Sequence, residues 1–362
     1  MTIPSRPRVK ILIAAGSSGG HIFPAIATSA RIRELERESE IVFVGAAKEI
    51  DRKIFEGGGF GYQCVSGDRK IFRDLSCSFR LLRTFKPDIA VGFGGYVSFP
   101  VLLLAKMMGI RTLMHEQNFF PGLANRALSY LVDRAAVSFK ETTNFFLKKS
   151  NVRETGNPVR RDLTVLDRGR ALGELGLERH KFTILVMGGS QGAHFINTAM
   201  LDILEGMSVL ERGRIQCIHL SGVKDHEFVK AGYESFGVDH RVFAFCDDMG
   251  LLYSACDAVI SRAGATSIAE ITLFGRASVL IPYPSVKVHQ FENARFMEER
   301  EAAVVVEQGD SCAARLSEAL RMLMNDPSRL RTLAQNAAKL GRPDAADRLA
   351  AEILLTLKKE SR

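Results

Sequence analysis

The sequence predicts two doubly wound α/β domains, each built on a parallel sheet, and three observations carry that prediction. At 362 residues with 46% hydrophobic content, the chain is long enough for two domains that each bury a core. Its apolar runs are continuous rather than alternating, which marks strands covered on both faces. The whole series of runs occurs twice, and the two halves echo each other in ILIAAGSSGGHIFPA and ILVMGGSQGAHFINT.

In the first half the predicted strands are KILIAAG (10–16), IVFVG (41–45), DIAVGFG (88–94), RTLMHE (111–116) and AAVSF (135–139), separated by helix-length amphipathic segments. The second half repeats the plan with FTILVMGG (182–189), QCIHLSG (216–222), RVFAFC (241–246), DAVISRAG (257–264) and ASVLIPYP (277–284). The turn-forming Asn-Pro of TGNPVRRDL (155–163) lies between the two series, so the domains are set at 1–160 and 161–362. A final amphipathic helix over about 344–359, with Ala346, Leu349, Ile353 and Leu357 at helical spacing, needs a surface to pack on and is a candidate to return to the first domain.

Composition narrows the class. The longest apolar stretch, VGFGGYVSFPVLLLAKMMGI (91–110), is broken by glycines and a lysine, short of the roughly 20 uninterrupted residues of a membrane span. No secretory cleavage pattern follows the N-terminal apolar run, and the six cysteines are scattered singly, so a reduced, cytosolic chain is expected. Residues 1–160 carry 24 Lys+Arg against 14 Asp+Glu, a net +10, whereas 161–362 carry 25 against 27. The basic surface therefore belongs to the first half. A nucleic-acid binder would interleave aromatic and basic residues on a sheet or groove helix, whereas the aromatics here form helical stripes.

Each echo is a strand running into a glycine turn and then a helix, the arrangement that points N–H groups and a helix dipole at a phosphate. Neither turn matches the dinucleotide or P-loop pattern, and a third glycine cluster, Gly92–Gly95, follows the strand at 88–91. His21 comes directly after the first turn, where a helix N-terminus disfavours imidazolium. HEQN (115–118) closes another strand with four polar groups at the carboxyl edge of the first sheet, where ligands of such sheets bind. In the second half, SRAGATSIAE (261–270) places Glu270 in a helix where a carboxylate takes ribose hydroxyls. His289, Gln290 and Asn293 offer hydrogen-bonding groups for a sugar at the next strand exit.

In this order and spacing, GSSGGHIFPAIA, GFGGYVSFP, HEQNFFPGLANR, TGNPVR, MGGSQGAHFIN, SRAGATSIAE and HQFENA resemble the MurG family of peptidoglycan N-acetylglucosaminyltransferases over residues 8–350. The resemblance implies a GT-B fold with two Rossmann-like domains facing a cleft: an acceptor- and membrane-binding domain first, a UDP-sugar domain second. It implies transfer of N-acetylglucosamine from UDP-N-acetylglucosamine to the 4-hydroxyl of lipid I, the undecaprenyl-pyrophosphoryl-muramoyl-pentapeptide, to give lipid II. By motif, His21 is the implied base, and Ser18, Gly19 and Gly20 face diphosphates. Asn118 and Asn125 line the acceptor side, and Arg160 and Ser190 contact the donor diphosphate. Ala265, Thr266, Ser267, Ile268 and Ala269 form the donor pocket, Cys246 meets the uracil, Glu270 the ribose, and His289, Gln290 and Asn293 the amino sugar. The family usually reads GGTGGH where this chain has AGSSGGH, and often has an acidic residue where this chain has Lys287-Val288.

No DxD pair stands beside a glycine turn, and Asp247-Asp248 reads as a helix N-cap. The expectation is a step without metal or other cofactor, with helix N-termini and Arg160 supplying positive potential. With no evident enzymic nucleophile, a single displacement inverts the donor linkage. A polyprenyl acceptor requires an approach to the membrane. The stretch 69–86 has six basic residues against one aspartate, with Phe72, Leu75, Phe79 and Leu82 at helical spacing beside Arg80 and Arg83. It is read as a peripheral anchor on an anionic surface at the cytoplasmic face of the bacterial membrane. The alternatives are a UDP-sugar transferase acting on another membrane lipid and a UDP-sugar epimerase.

Overall fold

The computed structural model describes residues 8–16, 19–46, 52, 55–65, 71–189, 192–285 and 289–358. The chain divides into two compact units, one of Met1–Arg160 with Arg342–Arg362 and one of Arg161–Gly341.

The first unit holds a seven-stranded sheet in the order β3-β2-β1-β4-β5-β6-β7. Its strands are β1 (Lys10–Ala14), β2 (Glu40–Gly45), β3 (Gly61–Cys64), β4 (Ile89–Gly92), β5 (Arg111–Glu116), β6 (Arg134–Val137) and β7 (Val152–Glu154). Every pairing is parallel, with Ile11 opposite both Ile41 and Ile89. Side chains alternate between two cores. Ile11, Ile13, Phe43 and Val91 face one way, and Leu12, Ala14, Val44 and Ala90 face the other. Burial on both faces is why these strands read as unbroken apolar runs.

The second unit holds a six-stranded parallel sheet in the order β10-β9-β8-β11-β12-β13. Its strands are β8 (Phe182–Met187), β9 (Ile215–Leu220), β10 (Asp239–Phe243), β11 (Ala258–Ser261), β12 (Ala277–Leu280) and β13 (Val304–Val305). In each sheet the order reverses at a central strand, next to β1 in one and β8 in the other, and the glycine turns follow those two strands. That switch point is where open α/β sheets bind ligands.

All ten strands expected from the apolar runs are present. Three more, β3, β7 and β13, lie at sheet edges and went unread, because short edge strands carry little apolar signal. Gly61–Cys64 is largely exposed, and β13 is two residues long. The helix Ala345–Lys358 belongs to the first unit, where Leu349, Ala350 and Ile353 are fully buried in the same core cluster as Ile11, Ile13 and Phe43.

The Ile71–Phe85 helix corrects one reading. Leu82 is buried beside Leu12 and Val44 and offers nothing to a surface, whereas Phe72 and Phe79 are exposed at 86% and 43%. A helix turns about 100° per residue, so Phe79 falls nearly in line with Phe72 while Leu75 and Leu82 lie about 60–80° round toward the sheet. Arg80 and Arg83 remain exposed, and the Arg83 guanidinium stands 5.7 Å from the Phe79 ring. Arg69 and Lys70 lie outside the described residues. Among the described residues no helix is long and apolar enough to cross a membrane.

Candidate active site

At the carboxyl edge of the first sheet, the segments leaving β1, β4 and β5 meet around His21. The helix Gly19–Leu35 begins with Gly19 and Gly20 and carries His21 in its first turn. Beyond β4, Gly94 and Gly95 take φ values of +88° and +74°, a region open to glycine, and the imidazole lies directly against them. A Cβ on Gly94 would stand 3.0 Å from both Cε1 and Nδ1 of His21. The third glycine cluster thus forms the wall against which the ring rests. Ser18, of the first loop, lies outside the described residues.

Beyond β5 a chain of polar groups runs inward from His21. Its Nδ1 is 3.2 Å from Oε1 of Gln117. The Gln117 amide nitrogen donates to the Phe93 carbonyl at 2.8 Å and lies 3.1 Å from Nδ1 of His115. His115 Nε2 in turn donates to the Gly156 carbonyl at 3.0 Å. His115 and Gln117 are both buried. Burial pushes the His115 pKa down to about 4, so its ring is neutral near pH 7. Burial also lowers the His21 pKa, against the opposing pull of its bonds to Gln117 and Phe93. The neutral imidazole expected of His21 is therefore maintained chiefly by desolvation of its ring.

Asn118 and Asn125 are brought together by Glu116, which the sequence shows only as one of the four polar groups of HEQN, with no role of its own. The buried carboxylate of Glu116 accepts from the Asn118 backbone N–H at 2.9 Å and its side-chain amide at 3.3 Å. It also accepts from the Gly122 N–H at 3.3 Å and the Asn125 amide at 2.8 Å. These four donors hold the HEQN…GLAN loop as one piece. The available signal was the alternation of strand β5, which turns Glu116 and the ring of His115 to opposite sides of the sheet end. Arg160 lies with its guanidinium 5.4 Å from the Phe23 ring.

In the second unit the helix Ala265–Leu273 starts behind Gly264, with no side chain capping its first N–H groups, and Thr266 Oγ1 beside them is buried without a hydrogen-bond partner. Uncapped donors beside an orphaned hydroxyl suit a polar ligand. Ser267 and Ala269 are half-buried, and Ile268 is a core side chain. Glu270, one and a half turns in, accepts from the Tyr253 hydroxyl at 3.0 Å. Asn293 is fully buried and donates to the Ala263 carbonyl at 3.1 Å, tying the Gln290–Glu298 helix to the SRAGATS turn. Gln290 accepts from the Tyr283 N–H at 3.0 Å. His289 enters that helix with φ +52°, which no β-branched residue tolerates well. Arg262, buried at the end of β11, bonds the Ile281 carbonyl at 3.1 Å and lies between the Phe195 and Tyr283 rings. Cys246 directs its thiol to the Asp248 carbonyl at 3.6 Å, and the Asp248 carboxylate caps the Met249–Ala255 helix as expected. Ser190, Lys287 and Val288 lie outside the described residues.

Two parallel α/β units of this kind make up the GT-B fold. Residues 11–137 match the glycosyltransferase family 28 N-terminal domain and 183–349 the family 28 C-terminal domain. A relative from Syntrophus aciditrophicus, named UDP-N-acetylglucosamine–N-acetylmuramyl-(pentapeptide) pyrophosphoryl-undecaprenol N-acetylglucosamine transferase, is 37% identical over 354 residues, covering 93% of this chain and 96% of the relative. The crystal structure of Acinetobacter baumannii MurG superposes with a TM-score of 0.78 at 24% identity, covering 96% of this chain and all of that one. A Neisseria meningitidis UDP-GlcNAc 2-epimerase bound to UDP-GlcNAc shares the fold at a TM-score of 0.67 and 15% identity, covering 96% of this chain and all of that one. The fold alone therefore does not choose between transfer and epimerisation. The sequence does: the chain belongs to the MurG family of glycosyltransferase family 28.

Proposed function

We propose that this enzyme moves N-acetylglucosamine from UDP-N-acetylglucosamine to the 4-hydroxyl of lipid I, giving lipid II with inversion at the anomeric carbon. The observation that carries the reading is near-full-length similarity to relatives named for that reaction. In the proposed step Nε2 of His21 takes the proton of the acceptor hydroxyl. The hydroxyl oxygen bonds to the anomeric carbon, and the bond to the donor phosphate breaks with its electron pair going to UDP.

The first unit takes the acceptor and the second the donor. Glu270 binds the ribose, the Ala265–Leu273 helix N-terminus with Thr266 and Ser267 receives polar groups of the nucleotide sugar, and Arg160 faces the diphosphate. A helix N-terminus and a guanidinium favour the charge that develops on departing UDP. The exposed Phe72 and Phe79, flanked by Arg80 and Arg83, support peripheral attachment to an anionic membrane surface on the cytoplasmic face, where a polyprenyl acceptor resides.

The test is a calorimetric titration with UDP-N-acetylglucosamine, its galactosamine epimer and UDP-glucose, followed by a transfer assay with lipid I. Preference for the first donor with transfer to lipid I is expected. Binding without transfer, or release of an altered UDP-sugar in the absence of acceptor, rejects the proposal.

A further inference from the structure

Two backbone carbonyls, 63 residues apart in sequence, sit at the two ends of the polar chain behind His21, and a backbone carbonyl only accepts. At the inner end, the Gly156 carbonyl requires the proton of His115 to reside on Nε2, which leaves Nδ1 of that neutral ring as an acceptor. At the other, the Phe93 carbonyl requires the nitrogen of the Gln117 amide to face it. The same nitrogen faces His115 Nδ1 at 3.1 Å, so the two requirements agree. The amide cannot turn over without setting oxygen against the Phe93 oxygen and against the His115 lone pair. Its Oε1 is therefore fixed toward His21, 3.2 Å from Nδ1. An amide oxygen is only an acceptor, so His21 must carry its proton on Nδ1.

We infer that Gln117 is a positioning residue: anchored by the Phe93 carbonyl and His115, it holds His21 in the Nδ1–H tautomer, leaving the Nε2 lone pair to receive a proton. Free histidine favours the opposite tautomer, with its proton on Nε2, which has no lone pair to offer there. The inference rests on the reading of His21 as the base, and it assigns the selection of the active form to a buried residue behind the ring. Its polarity runs through the whole chain, so His115 contributes by presenting a lone pair to the Gln117 amide. The two glycines at 94 and 95 contribute by allowing the ring to lie flat enough for Nδ1 to meet the amide.

The experiment is long-range ¹⁵N–¹H correlation of the full chain labelled with ¹⁵N-histidine, above pH 7, with the His21 resonances assigned by their loss in His21→Ala. The expected wild-type spectrum shows His21 protonated at Nδ1 with an unprotonated Nε2. Gln117→Met, which keeps the volume of the side chain, is expected to shift His21 toward the Nε2–H form. It should lower kcat by about tenfold, the worth of one hydrogen bond, while KM for UDP-N-acetylglucosamine stays within about twofold. A wild-type His21 protonated on Nε2 overturns the inference, as does a Gln117→Met spectrum unchanged from wild type. If Gln117→Met does not fold, the wild-type spectrum alone still decides the polarity. Because the tautomer is read without turnover, failure of the inference is distinguishable from failure of His21 as base, which the activity of His21→Ala reports.

Discussion

Asn125 donates its side-chain amide to the buried carboxylate of Glu116 at 2.8 Å, joining the Leu123–Leu131 helix to the end of β5. Burial raises the Glu116 pKa, and the hydrogen bonds it receives pull the other way. Removing the acceptor would strand donors in a buried place. Glu116→Ala is therefore expected to cost about 3 kcal/mol or more of stability, against about 1–2 kcal/mol for Asn125→Ala. Urea unfolding of the two variants checks the order; equal losses would reject this account of the loop.

His21 stands apart from that scaffold, since it bonds Gln117 and Phe93 and is not one of the donors to Glu116. His21→Ala should lower kcat by ~10²- to 10⁴-fold, the range of a lost general base, with donor affinity largely kept. Steady-state kinetics with titration of the donor measures both, and near-native turnover would remove His21 from the role.

Gly94 and Gly109 offer a matched pair. Both have positive φ, +88° and +76°, but a Cβ at 94 meets the His21 ring whereas one at 109 meets nothing within 4 Å. Alanine at either site should cost about 1–3 kcal/mol from backbone strain. Only Gly94→Ala should also reduce kcat, by about tenfold, because the His21 ring must give way by a few tenths of an ångström. Comparable activity in the two variants would show that the contact is unimportant.

Two buried histidines make stability depend on pH. His115 is held down to about 4 and His219, bonded to Tyr233 and Asn197, to about 3, in each case by burial. Unfolded histidine binds its proton near pH 6.5, so below that value the unfolded chain holds more protons. The contribution is fully present above about pH 6.5 and is lost as pH falls toward 4. Between pH 7.5 and 4.5 each histidine should subtract on the order of 2–3 kcal/mol. His219→Gln should flatten the dependence in the second unit; urea midpoints across this range that do not fall would refute the assignment.

The exposed phenylalanines predict a surface effect separable from folding. Phe72→Ser with Phe79→Ser should weaken sedimentation with vesicles rich in anionic lipid, and Arg80→Ala with Arg83→Ala should do so most at low salt. Each pair should leave stability nearly unchanged, as expected of exposed positions. Vesicle binding equal to wild type in both pairs would dismiss this face as the attachment site.

Legibility from sequence followed burial. Ile11 to Ala14 and Ile184 to Val186 announced their strands because both faces of each sheet are covered, while the exposed GYQC of β3 was silent. His21 was legible from its place after a glycine turn, but its partner Gln117 was not, since only three-dimensional folding aligns β5 with the turn after β4. Leu82 was misplaced for a related reason. Periodicity gives the helical stripe, and the neighbour decides which edge of the stripe is inside. Asn118 and Asn125 were singled out as a pair, whereas Glu116, which joins them, was visible only as one of the four polar groups of HEQN, because its partners come together only in the folded loop.

The return of the Ala345–Lys358 helix to the first core sets an order of events during synthesis. Ile11, Ile13 and Phe43 leave the ribosome long before Leu349, Ala350 and Ile353 that cover them. At ~5–20 residues per second, translating 161–341 takes on the order of 10–40 s. For that interval the nascent first half carries an open apolar seam, while the later half can close its own core at once. Maturation thus ends where translation began, with the last helix closing the first core.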